Sequence, residues 1–169
     1  MVSHLARSGF GARLRVMGGA NKWELDILAA EDTPSDIELL QLALQRCGAV
    51  RSLRVVDDGQ QLIDYLRGDP PFDQPARQAP NIILMDLKMP RMDGFEVLQW
   101  LRENPDCSVI PVVIMSASSL ESDILRAYRL GANAYFQKPT DFGELQDILQ
   151  SILTFWSHAR LPPVYALAC

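Results

Sequence analysis

Five polar residues at the ends of short apolar runs carry most of the chemistry this 169-residue chain offers. Glu31 and Asp32 follow the run 25–30, Asp86 follows 81–85, Ser116 follows 111–115, and Lys138 follows 134–137. Three carboxylates cannot share one site ionised without a counter-charge, because like charges at close range disfavour ionisation. A hard divalent cation with oxygen ligands meets that demand, and Mg2+ is the natural choice. One carboxylate then remains available as a nucleophile toward a phosphoryl group, giving an aspartyl phosphate. Phosphoryl transfer through a loose in-line transition state needs its equatorial oxygens neutralised. Metal, ammonium and hydroxyl would each take a share of that charge.

Taken singly, each residue has an ordinary explanation. An acid pair after a strand is commonly a solvated turn or a helix cap. Asp93-Gly94 and Ser116 are ordinary turn and loop chemistry, and Lys138 alone reads as surface charge. Asp57 and Asp58, after a further apolar run, lie away from the expected site. The joint placement of Glu31, Asp32, Asp86, Ser116 and Lys138 at the ends of four strands outweighs these separate explanations.

The elements that must position them alternate along the chain. Strands are expected at 25–30, 50–56, 81–85, 111–115 and 134–137. The uniformly apolar runs at 81–85 and 111–115 suit strands covered on both faces. Helices are expected at 34–47, 60–66, 95–102, 120–130 and 141–156. Pro34 fits a first helical turn, Ile37, Leu40 and Leu44 share a face, and Gly48 ends the segment. Four prolines between Gly68 and Pro80 make that stretch a long loop. Five strands alternating with five helices imply an α/β fold, a doubly wound parallel sheet with helices on both faces. In such sheets the site lies outside the carboxyl ends of the strands.

The composition fits one globular domain: 48% hydrophobic, 22% charged and a net charge of −5. The balance argues against nucleic-acid or anionic-membrane partners, and no apolar run is long enough to span a bilayer. Residues 1–23 hold Arg7, Arg13, Arg15 and Lys22 and no acid. That stretch is expected to be a flexible basic extension, with the domain proper at 24–157 and a tail at 158–169. Cys47, Cys107 and Cys169 are widely spaced and form no metal or disulfide pattern, which fits a reducing, cytoplasmic setting.

The segment Met85-Asp86-Leu87-Lys88-Met89-Pro90-Arg91-Met92-Asp93-Gly94-Phe95 closely resembles the phosphoacceptor segment of bacterial response-regulator receiver domains. The runs from Pro111 to Ala117 and from Gly131 to Pro139 resemble that family's fourth and fifth strands. The resemblance covers about 26–156. It implies the strand order 2-1-3-4-5 and a set of roles. Asp86 would accept the phosphoryl group and Lys138 would pair with it. Asp32 would bind Mg2+ directly with Glu31 assisting, alongside Asp86 and the backbone carbonyl of Lys88. Ser116 and Tyr135 would form the switch, with Ala117 leaving room for its movement. Pro139 would follow Lys138 through a cis peptide bond that aims the lysine inward. Lys88 and Ser118 match positions that tune phosphate lifetime; otherwise both read as solvent-facing loop residues.

No output domain is expected after Lys138, so the chain resembles a stand-alone receiver rather than an enzyme. The resemblance implies a histidine kinase or a phosphotransfer protein as phosphate donor. The long loop before Pro80 and the ending Ile152-Leu153-Thr154-Phe155-Trp156 resemble the small regulators encoded beside bacteriophytochrome kinases, which form homodimers. Leu145, Ile148, Leu149 and Ile152 make a core stripe on the last helix. Leu153, Phe155 and Trp156 widen it, toward either the tail at 162–165 or a subunit interface. A flavodoxin is disfavoured because Glu31-Asp32-Thr33-Pro34 would repel a metal-free phosphate. An aspartyl phosphatase would need a further acid and a substrate cap. A binding module that dimerises without phosphorylation is the other alternative.

Overall fold

A computed structural model describes residues 14–15, 24–73 and 79–161. Five parallel strands form the sheet: β1 (Leu25–Ala30), β2 (Val50–Val56), β3 (Ile82–Met85), β4 (Val112–Ser116) and β5 (Ala134–Gln137). Their spatial order is β2-β1-β3-β4-β5, as expected. Five helices alternate with them: α1 (Pro34–Cys47), α2 (Gly59–Arg67), α3 (Gly94–Glu103), α4 (Glu121–Arg129) and α5 (Phe142–His158). Each differs from its expected span by at most two residues at either end.

One departure concerns the leader. Leu14–Arg15 form a short strand antiparallel to β2, opposite Leu53 and Ser52, so the segment expected to be wholly loose adds a sixth strand at the sheet edge. The rest of 1–23, and the tail from 162, lie outside the described residues.

Strand alternation sorts the core into two layers, because successive side chains of a strand point to opposite faces. Leu28, Ile83, Met85, Val112 and Ile114 face the helices α2, α3 and α4, meeting Leu62, Leu66, Phe95, Leu98 and Ala127. Ile27, Ala29, Ile82, Leu84, Val113 and Met115 face α1 and α5, meeting Leu40, Leu44, Leu149, Ile152 and Leu153. The central strands are buried on both sides, which is why they lack the polar alternation of a half-exposed sheet. Leu153, expected to widen an outer stripe, is fully buried in the second layer.

Cysteine usage also differs from the sequence reading. Cys47 is a free, buried thiol, whereas Cys107 is disulfide-bonded. Among the described residues no helix is long and apolar enough to cross a membrane.

The helix that follows the acidic strand end is set by local chemistry. Asp93 caps α3 and forms a reciprocal box with Glu96, each side chain accepting the other's backbone N–H at 2.8 Å. This satisfies two of the orphan donors of the first turn. Asp93-Gly94 is therefore a cap rather than a plain turn. Gly94 lies so close to β3 that a Cβ there would stand 2.7 Å from the Asp86 carbonyl oxygen and 2.9 Å from Leu87 Cα. Because the obstruction is backbone, Gly94→Ala is expected to cost about 1–3 kcal/mol of stability, as overpacking does. Urea unfolding of the two proteins checks this; an unchanged midpoint would refute the close approach.

Candidate functional site

All the predicted residues that end strands reach the carboxyl edge of the sheet, but in different settings. Glu31 follows β1 and Asp86 follows β3, both buried, while Asp32 is exposed. Backbone bonds set their depth: Glu31 N donates to Val56 O at 3.0 Å, and Asp86 N donates to Ala30 O at 3.1 Å. A carboxylate oxygen from each of Glu31, Asp32 and Asp86 can be chosen so that all three lie within 4.8 Å of one another.

Lys138 supplies the counter-charge. Its Nζ donates to Glu31 Oε2 at 2.6 Å, to Asp86 Oδ2 at 2.7 Å and to Asp36 Oδ2 at 2.9 Å. An ammonium has three N–H donors, and here each finds a carboxylate. The Lys138 pKa is held well above its usual value: burial acts to lower it, but the bonds to Asp86, Glu31 and Asp36 prevail. The Glu31 carboxyl is pushed up, mainly by burial, with Lys138 working in the opposite direction.

The inward aim of Lys138 has a different origin from the one expected. Among the described residues the cis peptide bond lies between Pro70 and Pro71, not before Pro139. The Lys138 amide instead donates to Ser116 O at 2.8 Å, continuing the β4–β5 ladder, and the carboxylates draw the side chain in. Pro139 stands beside Lys138 in the wall of a shallow pocket of about 90 Å3 that Glu31, Asp36 and Asp86 also line.

The other predicted positions surround this cluster. Ser116 is fully buried at the end of β4, and Ala117 beyond it is exposed. Lys88 has an exposed side chain, and its amide donates to Asp86 Oδ1 at 3.2 Å. Both Asp86 oxygens thus have a donor. Ser118 is buried rather than solvent-facing: its hydroxyl donates to Asp123 Oδ2 at 2.6 Å, and its carbonyl accepts the Tyr135 hydroxyl at 2.8 Å. Tyr135 is half-buried against the α2–α4 layer.

Two contributors were not foreseen. Asp36 lies in the first turn of α1, one helical turn before buried Leu40, so it shares the sheet-facing side of the helix. That periodicity was available in the sequence as the signal for its direction. Asp58, set aside as remote, is 1% exposed, caps α2 through Gln61 N at 2.8 Å, and pairs with Arg91. Arg91 adopts φ 62°, a conformation that costs a non-glycine residue roughly 1–3 kcal/mol and needs surrounding structure to hold it. The ion pair and the bond from Gly59 N to Met92 O at 3.3 Å supply that support. They pin the loop that follows Asp86 against α2.

A parallel sheet in this order, with acids after its first and third strands, a hydroxyl after the fourth and a lysine after the fifth, defines a receiver fold with a cation-ready acidic edge. The sequence profile of the response regulator receiver domain matches residues 27–150, and the chain belongs to that family. Response regulator Rcp1 of Synechocystis is 35% identical over 130 residues, which span 77% of this chain and 87% of Rcp1. The phosphorylated cyanobacterial phytochrome response regulator RcpA superposes with a TM-score of 0.75 at 36% identity, covering 82% of this chain and 99% of RcpA. RPA3017, a response regulator in red light signaling of R. palustris, gives 0.76 at 34% identity, covering 81% and 97%. Rcp1 also has a solved Mn2+-bound form, with a TM-score of 0.74 at 33% identity over 82% of this chain and 99% of that one.

Removing the ammonium leaves Glu31 and Asp86 as buried charges in mutual repulsion. Breaking a buried pair costs about 3–5 kcal/mol, and the partial exposure of Asp36 reduces this. Lys138→Met is therefore expected to lose roughly 2–3 kcal/mol at pH 7 without divalent cations. A carboxyl whose folded pKa is raised binds its proton more readily in the folded state, so its repulsion costs stability as pH rises above about 4.5. The deficit of Lys138→Met should accordingly shrink toward pH 4.5. In the wild type the Lys138 contribution is present below the ordinary lysine pKa of 10.5 and is lost only as pH rises through its still higher folded value. Urea unfolding across this range checks both statements; a deficit independent of pH would refute the charge origin.

Proposed function

We propose that this receiver accepts a phosphoryl group on Asp86 from a phosphohistidine of a sensor histidine kinase or a phosphotransfer protein, with Mg2+ present. The observation that carries the reading is the convergence of Glu31, Asp32 and Asp86 around one point with Lys138 bound among them. Glu31, Asp32, Asp86 and the Lys88 carbonyl would hold the ion. Their hard oxygen donors suit Mg2+, and several carboxylates gathered around one ammonium leave net negative charge at the site. When bound, Mg2+ supplies charge neutralisation at the phosphoryl oxygens.

A carboxylate oxygen of Asp86 attacks phosphorus as the bond to the donor nitrogen breaks, and the donor imidazole leaves with that electron pair. Lys138 keeps its ammonium on the transferred group, and Ser116 offers its hydroxyl to the same oxygens. Tyr135 and Ala117 accommodate the movement of Ser116, and Lys88 and Ser118 influence how water reaches the acyl phosphate. The aspartyl phosphate later hydrolyses, so the chain turns over only its own modification and is not an enzyme toward other substrates.

The output is a change in protein contacts. Similarity to RcpA and RPA3017 supports a bacteriophytochrome kinase as the donor. A homodimer is supported by α5, where Phe155 is 65% exposed and meets Trp156 edge-on with ring centroids 5.0 Å apart. Trp156 itself packs toward the α1–α5 layer, which leaves Phe155 as the projecting aromatic.

Incubation with a small acyl-phosphate donor and Mg2+ should add one phosphoryl group to the wild type by intact mass, and none to Asp86→Ala. Labelling that persists in Asp86→Ala, or is absent from the wild type, refutes the assignment. Sedimentation tests the dimer: Phe155→Glu should be a folded monomer at concentrations where the wild type is dimeric. A monomeric wild type, or a dimeric Phe155→Glu, removes that part of the proposal.

A further inference from the structure

Lys138 is held by three carboxylates that are not equivalent. Glu31 and Asp86 belong to the group that converges with Asp32, and Asp36 does not. A divalent cation drawn to Glu31, Asp32 and Asp86 would therefore draw on two of the carboxylates that the ammonium occupies. It would also repel the ammonium, since like charges a few ångströms apart in a partly buried site are poorly screened. Asp36 is the one partner of Lys138 that a cation at that point leaves untouched.

Its position fits that task. Asp36 sits at the start of α1, where Pro34 opens the helix and Ile37 N donates to Thr33 O at 3.0 Å, so its backbone is fixed. It approaches Nζ at 2.9 Å from the α1 side, on the wall of the same pocket. At 37% side-chain exposure it keeps contact with water, so retaining its negative charge carries little desolvation cost.

We propose that Asp36 is a positioning residue that retains Lys138 when Glu31 and Asp86 turn their oxygens to a divalent cation, so that cation and ammonium occupy the site together. The inference rests on the metal-assisted phosphoacceptor reading above. Among the described residues, the ammonium without Asp36 has no partner outside the cation's own ligands. It then competes with the cation for Glu31 and Asp86.

The test is a double-mutant cycle read by Mn2+ binding, followed through the electron paramagnetic resonance of the free ion. The proteins are the wild type, Asp36→Asn, Lys138→Met and the double variant, each first shown to unfold cooperatively. Asp36→Asn should weaken Mn2+ binding about five- to tenfold where Lys138 is present, and by less than twofold in the Lys138→Met background. Equal weakening in both backgrounds would mean that Asp36 acts only as a nearby negative charge, and would overturn the proposal. Unchanged affinity of Asp36→Asn in the Lys138 background would overturn it too, while tight Mn2+ binding by the wild type leaves the phosphoacceptor reading standing. A wild type that binds no Mn2+ removes both.

Discussion

The structure turns on charge balance around one ammonium. Four carboxylates, Glu31, Asp32, Asp36 and Asp86, share the carboxyl edge of the sheet, and Lys138 reaches three of them at 2.6–2.9 Å. Such an arrangement is not a device for stability, since burying ions costs as much as their pairing returns. What it creates is a site with surplus negative charge, held in place by a rigid sheet. That surplus is a reason for a cation to bind there, and under the proposed function the same cation would make an anionic phosphoryl group acceptable beside Asp86. The chemistry therefore depends on keeping the acids close together against their repulsion.

The sheet provides the force that does so. β1 and β3 are adjacent, and their ladder places Ala30 opposite Met85, so the residues that follow, Glu31 and Asp86, emerge side by side. Leu28 and Ile83 pack toward α2 while Ile27, Ala29, Ile82 and Leu84 pack toward α1, so a slip by one residue would exchange the side chains of the two layers. The close approach at Gly94 and the Arg91–Asp58 pair then hold the loop beyond Asp86 against the opposite helix layer. Core packing, rather than the acids themselves, brings the acids together.

The same logic explains what could be read from the sequence. The five strands and helices were legible because apolar runs, prolines and glycines mark them within the chain, and the rule that sites lie beyond strand ends converted those marks into Glu31, Asp32, Asp86, Ser116 and Lys138. Contributions made by direction rather than position were harder to see. Asp36 looks like any first-turn acid until the facing side of α1 is considered, and Ser118 looks like loop until its bond to Asp123 buries it. The aim of Lys138 was ascribed to a cis bond before Pro139, whereas the ladder bond to Ser116 and three carboxylates account for it. The edge strand Leu14–Arg15 depends on long-range proximity, which spacing does not encode.

The segment after β4 is hydrogen-bonded to both α4 and β5. Ser118 N donates to Ser116 Oγ at 3.4 Å, a long and hence weak bond, while Ser118 Oγ holds Asp123 at 2.6 Å and Ser118 O holds the Tyr135 hydroxyl at 2.8 Å. Ser118 thus joins the end of β4 to both α4 and β5. Of the helices, α4 has the fewest buried residues. Ala127 is its single buried residue, whereas Leu125 and Tyr128 are about half exposed. Elements with few buried contacts are those that move at least cost. The helix with the fewest buried residues is therefore the one bonded through Ser118 to the segment that follows Ser116.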